Sequence, residues 1–87
     1  MTPISKPQGV FQGSNFMTPN PLAYFAGTLD GRRVYIELSD GTGIFTSKRY
    51  GVTFRYADGS KLDADFNPSD CFETRKEANQ VIREYAD

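Results

Sequence analysis

Apolar and polar residues alternate with a period of two from residue 22 to residue 39. This pattern predicts two half-buried strands, over residues 22–29 and 32–39, joined by an Asp-Gly dipeptide typical of two-residue hairpin turns. A turn of that length places Phe25 opposite Ile36 and gathers the large apolar residues of both strands on one face. Tyr24 and Tyr35 then share the opposite face.

A second hairpin is predicted from the alternating segments on either side of Ala57-Asp58-Gly59. A three-residue loop with Gly59 as a left-handed bulge keeps the apolar residues on one face, whereas a two-residue turn would mix the faces. The bulged loop places Phe54 opposite Leu62 and Tyr50 opposite Phe66. The remaining pairs are Val52 with Ala64 and Thr53 with Asp63.

Between the two hairpins, Phe45 extends the core face if it pairs with Ile36 across another tight turn. In one continuous strand, the odd-numbered Phe45 would lie on the opposite face from the even-numbered Tyr50 and Val52. We therefore expect a bulge or break between residues 47 and 51.

The C-terminal segment has a helical pattern. Thr74 and Glu77 fit a capping box, which predicts a helix over residues 75–86. One apolar stripe runs along it, formed by Ala78, Val81, Ile82 and Tyr85. Two consecutive hairpins and one helix predict an α+β fold: a small antiparallel sheet of four to five strands with a C-terminal amphipathic helix packed on one face.

Residues 1–21 differ in kind, because they hold four of the five prolines, one lysine and no acidic residue. Proline fixes φ and removes a backbone donor, so we expect neither a regular helix nor a central strand there. We divide the chain into this Pro/Gly-rich N-terminal arm, residues 1–21, and a single α+β domain, residues 22–87. The apolar residues of the arm either complete the core or fold on a partner. We expect Phe16 to be buried and the residues before Gly9 to be mobile.

The composition excludes most catalytic chemistry. The chain has no histidine, which removes Ser-His-Asp and Cys-His catalysis and His-ligated zinc. Cys71, the single cysteine, has no base beside it and is interpreted as a half-buried filler. Residues 63–67 begin like a calcium loop but lack its glycine and its final carboxylate, which favours a solvated strand face. We expect no enzymatic activity, no cofactor, and no catalytic, cofactor-binding or metal-binding residue.

Ten basic and eleven acidic residues give a formal charge of −1, which argues against binding to nucleic acid by bulk charge alone. No apolar run is long enough for a membrane span, and no signal-peptide core is present. With one cysteine and no possible internal disulfide, these features predict a cytoplasmic protein without a membrane partner.

Basic residues and tyrosines are interleaved on the predicted sheet, as in many nucleic-acid-binding proteins. Asp63 and Asp65 on the same predicted face oppose phosphate binding, so scattered solubilising charge is the other interpretation. The candidate nucleic-acid-binding residues are Arg32, Arg33, Lys48, Arg49, Arg55 and Lys61.

The Asp58-Gly59 turn is followed by an F-x-T-[KR]-x-E-A pattern, formed by Phe72, Thr74, Arg75, Glu77 and Ala78. With these features, residues 51–87 resemble the arm-type N-terminal DNA-binding domain of phage-like tyrosine recombinases. The resemblance implies a short sheet followed by a helix and DNA binding through a basic sheet face. Arg55 and Lys61 stand at suitable positions for that face, whereas Asp63 and Asp65 depart from its charge.

Small size, mixed charge and exposed aromatic residues favour a non-enzymatic module that binds a protein partner. Phage or mobile-element accessory proteins that inhibit a host complex by covering a surface are the kind expected. Since Tyr and Arg dominate binding hot spots, the expected contact residues are Phe11, Phe16, Tyr24, Arg33 and Tyr35. The alternative is a sheet-face DNA-binding domain of the recombinase-arm type.

Overall fold

The computed structural model describes residues 1–11, 20–41 and 48–87. In these ranges one antiparallel sheet with strand order β1-β2-β3-β4 packs against one α-helix, which confirms the predicted α+β class. The strands are β1 (Asn20–Leu29), β2 (Arg32–Asp40), β3 (Tyr50–Tyr56) and β4 (Asp70–Phe72), and the helix is α1 (Arg75–Tyr85). A short 3-10 helix, Ala64–Phe66, lies between β3 and β4.

The first hairpin has the predicted turn and register. Asp30 and Gly31 both have positive φ, and Phe25 pairs with Ile36. A register shift between Pro21 and Ala23 marks a bulge near the start of β1. The helix also agrees with its prediction, since Thr74 accepts a hydrogen bond from the backbone N–H of Glu77 at 3.3 Å.

The prediction of the second hairpin is confirmed at its loop and wrong for the residues that follow the loop. Gly59 has φ +90°, and one bridge, between Arg55 and Lys61, follows the predicted register. The strand predicted after it does not form, and the pairing of Tyr50 with Phe66 is wrong because β4 occupies that place with Phe72. The pairings of Val52 with Ala64 and of Thr53 with Asp63 are lost in the same way.

Two side-chain hydrogen bonds explain this change of partner. The Asn67 side-chain oxygen accepts from the Ser69 N–H at 3.0 Å, which makes a tight turn around Pro68. Ser69 Oγ then accepts from the backbone N–H of Phe54 at 2.9 Å, where the predicted strand would have supplied a carbonyl. Asp63 and Asp65 consequently leave the sheet.

Strand β2 pairs directly with β3, so Ile36 lies between Phe25 and Phe54. Phe45, whose pairing with Ile36 would extend the core face, lies outside the described residues, as does part of the break expected between residues 47 and 51. The core lies between this face of the sheet and α1. Its largest fully buried side chains are Phe54, Ile36, Leu38, Ile82, Val34 and Val52.

The N-terminal arm contacts the sheet at two places. The Ile4 N–H donates to the Tyr24 carbonyl at 2.7 Å, so the arm is hydrogen-bonded before Gly9, where we expected mobility. Further on, Val10 is buried beside Gly59, and the Phe11 ring lies 5.4 Å from that of Tyr24. The prediction for Phe16 falls outside the described residues.

Candidate functional site

Tyr24, a predicted contact residue, is only 7% exposed. Its hydroxyl donates to Glu37 Oε2 at 2.7 Å, and the Phe11 ring packs against it. Burial, and secondarily the Glu37 carboxylate, raise the pKa of Tyr24 far above its ordinary value. Tyr24 and Phe11 therefore attach the arm to the second face of the sheet, the face opposite α1.

Two of the other predicted contact residues, Arg33 and Tyr35, are described by the structure. Arg33 is exposed and makes an ion pair with Asp87 at 2.5 Å. Tyr35, two residues further along β2, is half-buried on the second face beside its register partner Arg55. Phe16 lies outside the described residues.

The candidate nucleic-acid-binding residues are divided between the two ends of the sheet. Arg32 stacks on the Tyr56 ring at 3.6 Å and lies 4.0 Å from Asp58. Arg49 donates two hydrogen bonds to Asp40, at 3.1 and 3.3 Å, and these raise the pKa of Arg49. A nine-residue strand such as β2 separates these ends by roughly 27 Å.

The Asp58 carboxylate accepts hydrogen bonds from the Ser60 hydroxyl and backbone N–H, at 2.6 and 2.8 Å. These bonds, more than Arg32, lower the pKa of Asp58. The loop that carries Gly59 is therefore held by its own polar groups, and Arg32 adds a weaker electrostatic contact.

Part of the predicted basic set does come together. Tyr35 pairs with Arg55 across β2 and β3, and Arg55 pairs with Lys61, so an aromatic ring and two cations are neighbours on the second face. One Arg55 N–H donates to the Phe54 carbonyl at 3.0 Å. Lys48 is exposed at the other end of the sheet, away from this group.

The predicted register puts Phe66 on the apolar face of the second hairpin, yet 57% of its surface is exposed. It lines an open groove of about 300 Å³ between the end of β1, the end of α1 and the segment after the 3-10 helix. The residues lining this Phe66 groove are Leu29, Asp65, Phe66, Asn67, Pro68 and Tyr85. Asn-Pro directly after Phe66 was the sequence signal for this exposure, since proline lacks the N–H that a strand there would donate.

A second depression, of about 280 Å³, lies along β3 and β4, and its lining includes Glu37, Ser39, Thr53 and Cys71. Asp70, also part of this lining, accepts a hydrogen bond from the Cys71 N–H at 2.7 Å. In the described ranges, no three His, Cys, Asp or Glu side chains are grouped so that they can hold a metal ion. Within the same part of the chain, no helix has the length and apolar character needed to cross a membrane.

No protein-family description, curated protein or solved structure matches this chain.

Proposed function

We propose that this chain is a small non-enzymatic protein-binding module whose main contact surface is the Phe66 groove. The exposure of Phe66 carries the proposal. An inhibitor from a phage or mobile element that covers a surface of a host complex is the kind of module proposed. The proposed cellular location is the cytoplasm.

A domain of 87 residues has little apolar surface to bury, so each large side chain left in water is a considerable loss. Full burial of a Phe side chain is worth roughly 2 kcal/mol. Phe66 forgoes most of that gain while Leu29, Pro68 and Tyr85 beside it are half-buried. An aromatic residue in a partly formed apolar groove is suited to take up a side chain from a partner.

Arg33 and Tyr35 are proposed as a second, polar contact on the face opposite α1. For Phe11 and Tyr24 we propose a supporting role, because their rings pack on each other and Tyr24 is hydrogen-bonded to Glu37. Phe16 stays a proposed contact residue on the strength of its type alone.

The proposal is tested by using the full chain as bait in nuclease-treated lysate of the source organism. Wild type and Leu22→Ala should retain one and the same protein, and Phe66→Ala should lose it. Leu22 is a matched control because it is an exposed large apolar residue, 42% exposed, near the other end of β1. Retention of the partner by Phe66→Ala, or release of the partner by nuclease, would contradict the proposal.

DNA binding of the recombinase-arm type is the second candidate, and the neighbouring Tyr35, Arg55 and Lys61 favour it. The acidic residues expected to repel phosphates, Asp63 and Asp65, are not part of that face. Against it, the candidate cations Arg32, Arg33 and Arg49 are each close to a carboxylate. Their charge is thus partly neutralised before any phosphate arrives, and we rank protein binding first.

A further inference from the structure

We infer that the occupant of the Phe66 groove is a cationic segment of a partner protein. This segment places one apolar side chain against Phe66 and Tyr85, and a Lys or Arg side chain beside Asp63 and Asp65. This inference rests on the proposed protein-binding function and adds the chemistry of the partner.

The groove has an acidic margin. Asp65 lines the groove, and Asp63 precedes it in the same turn, in which the Phe66 N–H donates to the Asp63 carbonyl at 3.0 Å. Both side chains are exposed, and neither takes part in an ion pair among the described residues. By contrast, Asp40, Asp58 and Asp87 each have an arginine within 4.0 Å.

The arginine that strand register places beside the groove is engaged elsewhere. Arg32 is the register partner of the groove residue Leu29, but its guanidinium lies over Tyr56 and close to Asp58. Residues 51–87 hold five basic and eight acidic side chains, and five minus eight leaves −3 for this half of the chain. A cationic partner would therefore meet attraction at the groove margin and from the surrounding half of the chain.

Strand addition is a poor alternative mode of binding, because polar groups of the protein already occupy both sheet edges. On β1, the carbonyls of Tyr24 and Ala26 accept from Ile4 and Asp87 N–H groups. On β4, the Cys71 N–H donates to the Asp70 side chain. A partner is therefore expected to bind through its side chains, and an apolar groove with a charged margin is suited to that mode of binding.

The test uses three short synthetic peptides that share a central Leu and Phe and differ only in flanking Lys, Gln or Glu residues. Backbone amide shifts of the full chain report binding. The Lys peptide should shift amides at residues 65–67 and 85, and should bind about fivefold more tightly than the Gln peptide, as expected for two exposed ion pairs. The Glu peptide should bind most weakly. The preference for the Lys peptide over the Gln peptide should decrease between about 0.1 M and 1 M salt, because the added ions shorten the Debye length from roughly 10 Å to 3 Å.

The double variant Asp63→Asn/Asp65→Asn should reduce the Lys preference to less than about twofold. Glu73→Gln, which removes one exposed carboxylate before the start of α1, should leave the Lys preference unchanged. If binding depends on Phe66 but is equal for all three peptides, the inference of a cationic partner is wrong. The proposed protein-binding function would not be contradicted by that result. Shifts confined to other surfaces would overturn the inference, while the Phe66→Ala bait experiment tests the function separately.

Discussion

Gly59 has φ +90°, and a Cβ added there would lie 3.1 Å from the carbonyl oxygen of Gly9 in the arm. This glycine thus meets two demands, a left-handed backbone in the loop after β3 and a close approach of the arm. Gly27 has no positive φ but allows a close approach of another element, since its added Cβ would collide with the backbone carbonyl of Tyr85 at the end of α1.

Gly59→Val should lower the free energy of unfolding by about 1–3 kcal/mol, because a β-branched residue at positive φ is strained. Chemical denaturation measures the loss. Gly31→Val is the matched control, since Gly31 has φ +76° with nothing within 4 Å of an added Cβ. A larger decrease in the free energy of unfolding for Gly59→Val than for Gly31→Val would show that the contact with the arm adds to the backbone strain. No decrease for either variant would contradict the assigned turns.

Tyr24 contributes a pH-dependent part of the stability. Burial first, and Glu37 second, raise the pKa of Tyr24 in the folded protein above its ordinary value of 10.0. The contribution of Tyr24 to stability is therefore complete below about pH 10 and is lost as the pH rises further. We expect Tyr24→Phe to cost about 1–2 kcal/mol at neutral pH, where a hydrogen bond to a carboxylate is lost. The difference from wild type should then shrink by about 1.4 kcal/mol per pH unit above pH 10. A constant difference in thermal or chemical unfolding up to pH 11 would disprove the coupling.

At the scale of elements, the sheet has two covered faces of unequal extent. The helix covers the first face through Ala78 and Ile82, both fully buried, and through the Tyr85 ring, which lies edge-on to Phe54 at 5.3 Å. The arm covers part of the second face through Val10 and Phe11. The arm is therefore a structural element of the domain as well as a candidate for partner contact.

Removal of residues 1–11 should lower the free energy of unfolding by about 2–4 kcal/mol, because Val10 loses its burial and Phe11 leaves the Tyr24 ring. Thermal melting of the truncated chain measures this. Amide exchange in the full chain is an independent check, and the Ile4 N–H should be protected by its bond to Tyr24. An unchanged melting temperature together with weakened partner binding would mean that the arm serves the partner alone.

At the scale of the whole molecule, the basic residues are separated into groups. Lys48 and Arg49 are at one end of the sheet, and Arg32, Arg33, Arg55 and Lys61 are at the end nearest the first hairpin turn. Arg32, Arg33 and Arg49 are paired with carboxylates, so the chain has no broad unpaired basic surface within its described ranges. Protein binding is favoured over duplex binding for this reason.

We expect no measurable binding to a DNA duplex near physiological salt. Affinity from phosphate contacts falls with salt at a slope of about −0.9 per neutralised phosphate on logarithmic axes, so a titration from low to high salt is decisive. A micromolar complex with a steep slope, lost in Arg55→Ala/Lys61→Ala but retained in Phe66→Ala, would reverse the ranking of the two functions.

Local chemistry was enough to predict the first hairpin, the bulged loop and the capped helix. Asp30-Gly31 and Gly59 tolerate positive φ, and Thr74 satisfies an orphan N–H of the helix; each effect acts within a few residues. The face of each core residue followed from periodicity, because a slip of one residue would expose the whole apolar set.

Only the tertiary structure decided which distant groups meet. The pattern predicted Phe66 as the partner of Tyr50, whereas the turn at Asn67 with the Ser69 bond to Phe54 selected Phe72. The burial of Tyr24 depends on the arm residue Phe11, thirteen residues earlier, and the carboxylate that each arginine meets lies up to 54 residues distant. Periodicity carries no information about such contacts, since they depend on how whole elements pack. The candidate groove, formed by three separate segments, was for this reason not visible in the sequence.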